Sequence, residues 1–167
     1  MTDATMEERS RQRPAVFMRF RPAWSYIEGI REFGRFFCEN TFGTPELAER
    51  ACIVIQEALE NAVKYSSSAS KEGGELELLI QSDGTNLEIS VSSLPDAAHL
   101  AKLREELSDI HTLAPEQAYL AAFLRAANEQ DQSSRLGLAR IRYEGGLEVS
   151  LQEQEGGRIR ITATGKL

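Results

Sequence analysis

The sequence has no apolar run approaching the roughly 18 residues that a membrane-spanning helix requires. Its opening segment, MTDATMEERSRQRP, is polar and charged and lacks the apolar stretch of a secretory signal. A cytoplasmic protein without a membrane partner is the expectation. Cysteine is scarce. Cys38 and Cys52 both lie in apolar helical patterns with no metal-ligand spacing around them, so they read as buried core thiols. Histidine is equally thin: His99 and His111 have no cysteine or carboxylate cluster nearby and read as structural or solvated. Basic charge is in deficit, with 19 Lys and Arg against 26 Asp and Glu and a formal charge of −7. That excludes the basic face of a general nucleic-acid binder and predicts no direct nucleic-acid partner.

The 167 residues, 41% of them hydrophobic, suit one domain with a full core. Residues 1–14 read as a loose tail and 15–167 as a single domain. AVFMRF at 15–20 reads as a strand that Pro22 ends. Trp24, Ile27, Ile30, Phe33 and Phe37 then recur at helical spacing, with Gly34 as an interruption. Thr44, Pro45, Glu46 and Glu49 mark the start of a second helix, which runs to about Tyr65. SSSASKEGG is a flexible connection.

The period then drops to two. GELELLIQ and NLEISVSS read as a hairpin turned at Ser82-Asp83-Gly84-Thr85. Helices are expected over 97–110 and 115–127. The polar break NEQDQSS and the short helix RLGLARIRYE follow them, and a hairpin around Glu155-Gly156-Gly157 closes the chain. The order β-α-α-β-β-α-α-α-β-β, with consecutive hairpins, predicts a mixed, largely antiparallel sheet with helices on one face. The fold class is therefore a two-layer α/β sandwich.

EALENAVKYS, on the second helix, carries the chemistry. At about 100° per residue, Glu57, Asn61 and Lys64 fall near 0°, 40° and −20° and project from one side. Ile55, Leu59 and Ala62 face elsewhere and are free to enter the core. An amide oxygen suits Mg²⁺, which keeps several waters and needs few protein ligands. A carboxylate orients or deprotonates an attacking hydroxyl, and a lysine lends charge to phosphate oxygens. The bland alternative is a solvated face on which Glu60 and Lys64 form an i,i+4 pair worth tenths of a kcal/mol.

EALENAVKYS resembles the N-box of the GHKL (histidine kinase-like) ATPase fold, shared by gyrase, heat-shock chaperone, histidine kinase and mismatch-repair ATPases. The chain is most similar to bacterial anti-sigma-factor serine kinases. Agreement in order extends over about 16–164, through PAWSYIEGIREFGRFF, ACIVIQEALENAVKYS, NLEISV and RLGLARIRYEGGLEVSLQEQEGGRIRITA. The resemblance implies that Asn61 coordinates Mg²⁺ on ATP and that Glu57 is the base-like carboxylate. It also implies that Lys64 and Tyr65 approach the phosphates or the nucleotide rim. SSRLGLARI resembles the second glycine box, where backbone amides at a helix start hold phosphate. Gly137 and Leu138 match it. Arg135 stands where the family has its first glycine, and it either closes the phosphate cradle or contacts phosphate itself. A close helix–sheet contact is the plain alternative for Gly137.

The first glycine box departs from the family pattern. After NLEISV the family has an Asp that accepts from the adenine amino group, then Gly-x-Gly. This chain has SSLPDAAHL. Ser92 and Ser93 replace the acid and its neighbour, and a serine offers only a neutral hydrogen bond. Asp96 reads as the cap of the next helix, with adenine binding the alternative. The segment 94–133 has no glycine and carries two helical patterns, as folded structure rather than a mobile lid. Two readings follow. One is a regulatory protein of a partner-switching, anti-sigma-type pathway with weak or altered ATP binding. The other is an active serine/threonine kinase that phosphorylates a small antagonist protein with Mg-ATP. Both imply a protein partner, a sigma factor or an antagonist domain, and the resemblance also implies a homodimer.

Overall fold

In a computed structural model of the chain, the described residues are 13–66, 74–128 and 136–167. Residues 1–12 of the expected N-terminal tail, most of the Ser-rich connection, residues 129–134 of the NEQDQSS break and Arg135 lie outside them. The elements follow the expected order. Strand β1 (Ala15–Phe20) leads through a short 3₁₀ turn, Trp24–Tyr26, into helices α1 (Ile27–Phe42) and α2 (Pro45–Lys64). The hairpin β2 (Leu76–Ser82) and β3 (Asn86–Ser93) comes next, then helices α3 (Ala97–His111), α4 (Pro115–Asn128) and α5 (Leu136–Tyr143). Strands β4 (Glu148–Glu153) and β5 (Ile159–Lys166) complete it.

The five strands form one sheet in the order β1-β2-β3-β5-β4, and every pairing among them is antiparallel. The register explains why the sheet has two unlike faces. Val16, Ile80, Ile89, Ala163 and Val149 stand in one cross-strand row, and Met18, Leu78, Val91, Ile161 and Leu151 in another. These rows are apolar and meet the helices. The next row beyond Met18, made of Arg19, Glu77, Ser92, Arg160 and Gln152, is polar and lies on the other face. The molecule is a two-layer α/β sandwich.

Helix α1 ends at Gly43, which takes a left-handed φ of 71° and returns its N–H to the Glu39 carbonyl. Thr44 sits at the N-cap of α2 with extended backbone, but its side chain makes no cap bond. Pro45 at the first helical turn supplies the start. Gly34 has a packing cause. It is buried, and a methyl group there would lie 2.3 Å from Cδ1 of Ile55 on α2. Cys38 and Cys52 are buried free thiols, as expected, and burial pushes Cys38 up to about 12.

Candidate functional site

Helix α2 inserts Ile55, Leu59 and Ala62 into the core and turns Glu57, Asn61 and Lys64 to its partly exposed side. The sequence geometry of this helix therefore holds. What faces the trio is α5. A methyl group at Gly137 would lie 2.9 Å from Oε2 of Glu57 and 3.0 Å from the Asn61 amide nitrogen. Only a residue without Cβ lets α5 approach α2 this closely without moving either polar side chain. The close contact at Gly137 is with a helix and not with the sheet, and it is made to Glu57 and Asn61 themselves.

From the next turn of α5, Arg140 donates through Nη1 to Oε1 of Glu57 at 2.7 Å and through Nε to Oε2 of Glu144 at 2.9 Å. Glu57 is largely buried, with 12% of its side chain accessible. Burial pushes its carboxyl above the ordinary value, against the pull of Arg140 in the other direction. Burial works to lower Arg140, and the hydrogen bonds to Glu144 and Glu57 outweigh it, so the guanidinium stays firmly charged. Helix α5 is anchored by Arg142, which pairs with Glu148 of β4 and donates to the Ile110 carbonyl of α3.

The other end of the site is closed. Ser66, just beyond α2, bridges to Pro95 in the β3–α3 connection. Asp96 caps α3 by accepting from the His99 amide at 2.9 Å, which lowers its pKa. The cap reading of Asp96 is the one observed. The His99 ring packs against Tyr65 with centroids 4.9 Å apart. Between Asn61, Tyr65, Ser93, Pro95, His99 and Leu103 only about 10 Å³ remains, about the volume one water needs. The 94–128 part of the expected folded segment is the pair of helices α3 and α4 with their connections, and α3 lies across this end.

Two groups of the sequence-derived site residues are thus brought together. Glu57, Asn61 and Gly137 form one contact, and Asn61, Tyr65 and Ser93 share the closed cavity. Lys64 ends α2 with its ammonium 5.2 Å from the Tyr65 ring centroid. The Leu138 side chain is 1% exposed and belongs to the core, which leaves only its backbone to face a ligand. Arg140, Glu144, His99 and Leu103 were not singled out from sequence. The i,i+4 spacing of Arg140 and Glu144 was a legible signal for that pair. Glu57 and Arg140 lie 83 residues apart, and no local pattern joins them.

The fit of Mg-ATP differs between the two ends. At the phosphate end, Asn61 offers a hard oxygen and the start of α5 offers backbone amides beside Gly137. Among the described residues no group of three or more His, Cys, Asp or Glu could hold a metal on its own, so any Mg²⁺ would depend on Asn61, Glu57, phosphate and water. At the base end a purine does not fit the 10 Å³ cavity, because ligand pockets run to hundreds of Å³. Asn61 and the α5 amides are groups that could hold Mg²⁺ and phosphate, and the cavity beside Tyr65 and His99 is too small for a purine.

The fold is a two-layer α/β sandwich in which α2, α5 and the start of α3 meet at one corner. Among solved structures the chain is similar to the crystal structure of the SiaB–SiaC complex from Pseudomonas aeruginosa. The TM-score is 0.68 at 21% sequence identity, over 100% of this chain and 99% of that one. No family model and no curated protein matches the chain. At this identity the likeness concerns the fold. No helix among the described residues is long and apolar enough to cross a membrane.

Proposed function

We propose that the chain is a regulatory protein of a partner-switching, anti-sigma-type pathway, acting by contact with a protein partner and carrying an altered ATP site. The observation that carries this reading is the contrast between the two ends of the site. Gly137 seats α5 against Glu57 and Asn61, and α3 leaves only a small cavity beside Tyr65, where the resemblance would put the base. The similarity to a chain of a two-protein complex supports action through a partner. In this reading Asn61 holds Mg²⁺, the α5 amides and Lys64 face phosphate, and Ser93, which with Ser92 replaces the acid and its neighbour, faces the base end. Nucleotide binding is therefore weak and requires α3 to give way. Thermal unfolding with millimolar ATP tests it. Stabilisation is expected with Mg²⁺ and not with Mg²⁺ chelated, growing with concentration as ligand linkage demands. Equal stabilisation with and without Mg²⁺ would count against the role of Asn61.

A second reading, an active serine/threonine kinase, is favoured by Glu57. A buried carboxyl with raised pKa beside Asn61 is suited to accept a hydroxyl proton while phosphate is held nearby. Radiolabel transfer from γ-labelled ATP to a co-purified protein would support it, provided that Glu57→Gln abolishes the transfer. Transfer that survives the substitution would remove Glu57 from the chemistry.

A further inference from the structure

Glu57 is held from two directions by the same helix. Its Oε2 lies against the Gly137 backbone, and its Oε1 accepts from Arg140 at 2.7 Å. Arg140 is in turn divided between two carboxylates, because its Nε donates to Glu144 at 2.9 Å. The Tyr119 hydroxyl, on α4, lies beside Glu144, whose carboxylate raises the Tyr119 pKa. The Tyr119 ring stacks on Tyr143, the last residue of α5, with centroids 5.0 Å apart and planes 30° from parallel. Polar contacts therefore run from Glu144 through Arg140 to the carboxylate beside Asn61, and α4 meets this line through the Tyr119–Tyr143 stack and the neighbouring Glu144.

We propose that Arg140 is the positioning residue of the Glu57–Asn61 site and that α4 acts on it through Tyr119 and Glu144. The physical ground is the fork of the guanidinium. One planar group with fixed N–H directions satisfies two carboxylates only while both stay in place. Moving Glu144 redirects the fork, and the orientation of Glu57 changes with it. Tyr119 sets the position of Glu144, so a displacement of α4 reaches Glu57 without any movement of α2. This inference rests on the proposed nucleotide corner for its purpose, though not for its geometry.

The test uses the full chain with ¹³C-labelled glutamate carboxyls, the Glu57 signal being identified by its loss in Glu57→Gln. Arg140→Gln should move the Glu57 signal. Arg140→Lys, which keeps the charge and loses the fork, should move it by less. Tyr119→Phe, a mild change on another helix, should move it in the same direction as Arg140→Gln. In a parallel Mg-ATP titration, Arg140→Gln should weaken binding by about fivefold or more, the scale of ordinary coupling between sites. A Glu57 signal unmoved by Tyr119→Phe would overturn the proposal. So would weakened Mg-ATP binding by Arg140→Gln with an unmoved Glu57 signal, since Arg140 would then act on phosphate directly. If the unaltered chain gives no Mg-ATP binding, the nucleotide reading fails, and the Glu57 signal in Tyr119→Phe still decides the positioning role.

Discussion

At Gly137 a hydrogen stands where any other residue would place carbon within 3.0 Å of both Glu57 and Asn61. Both nearest atoms are the polar ends of side chains and not backbone, so Gly137→Ala is expected to leave the fold intact and displace them. The measurement is Mg-ATP-dependent thermal stabilisation, which should disappear while the unliganded melting point changes little. Glu57 carries a second expectation. Its folded pKa is raised above the ordinary 4.5, chiefly by burial. The neutral form is thus favoured by folding. The corresponding stability is fully present below 4.5 and is lost as pH rises through the raised folded value. Denaturant unfolding across this window should show that loss in the unaltered chain and its absence in Glu57→Gln. The same loss in the variant would assign the effect elsewhere.

Between elements, Gly34 shows how a sequence weakness becomes a structural requirement. Inside a helical pattern a glycine reads as a penalty. In the fold it admits the Ile55 side chain between α1 and α2, with Ile80 of β2 just beyond. Gly34→Ala should destabilise the chain by about 1–3 kcal/mol through overpacking, read as a lower urea midpoint at unchanged slope. The β2–β3 turn rests on Asp83, which accepts from the Thr85 and Asn86 amides at 2.8 and 2.7 Å. Those bonds lower its pKa to about 2, so its contribution is present above the ordinary 3.8 and is lost as pH falls toward 2. Asp83→Ala should flatten the acid limb of the stability profile between those values. Alternation and helical spacing made every element legible, because each obeys one local period. The placing of β5 between β3 and β4, and of α3 across the site, was not legible. Both depend on contacts between residues far apart in the chain, and a period reports which face is apolar without naming what covers it.

Over the whole molecule, one α/β sandwich brings α2, α5 and the β3–α3 connection to a single corner. The sequence reading assembled Glu57, Asn61 and Gly137 there from a resemblance. It could not supply Arg140, whose importance arises only when α5 lies against α2. The homodimer implied by that resemblance has a direct check in sedimentation equilibrium. A mass of twice the 18.6 kDa chain would support it, and a mass of one chain would contradict it. The central claim is that the corner still handles Mg-ATP although its base end is closed. Calorimetric titration with ATP, with and without Mg²⁺, on the unaltered chain and on Asn61→Ala tests this most directly. The expected result is weak binding that requires Mg²⁺ and vanishes in Asn61→Ala. No heat change up to millimolar ATP, or binding unaffected by Asn61→Ala, would contradict it.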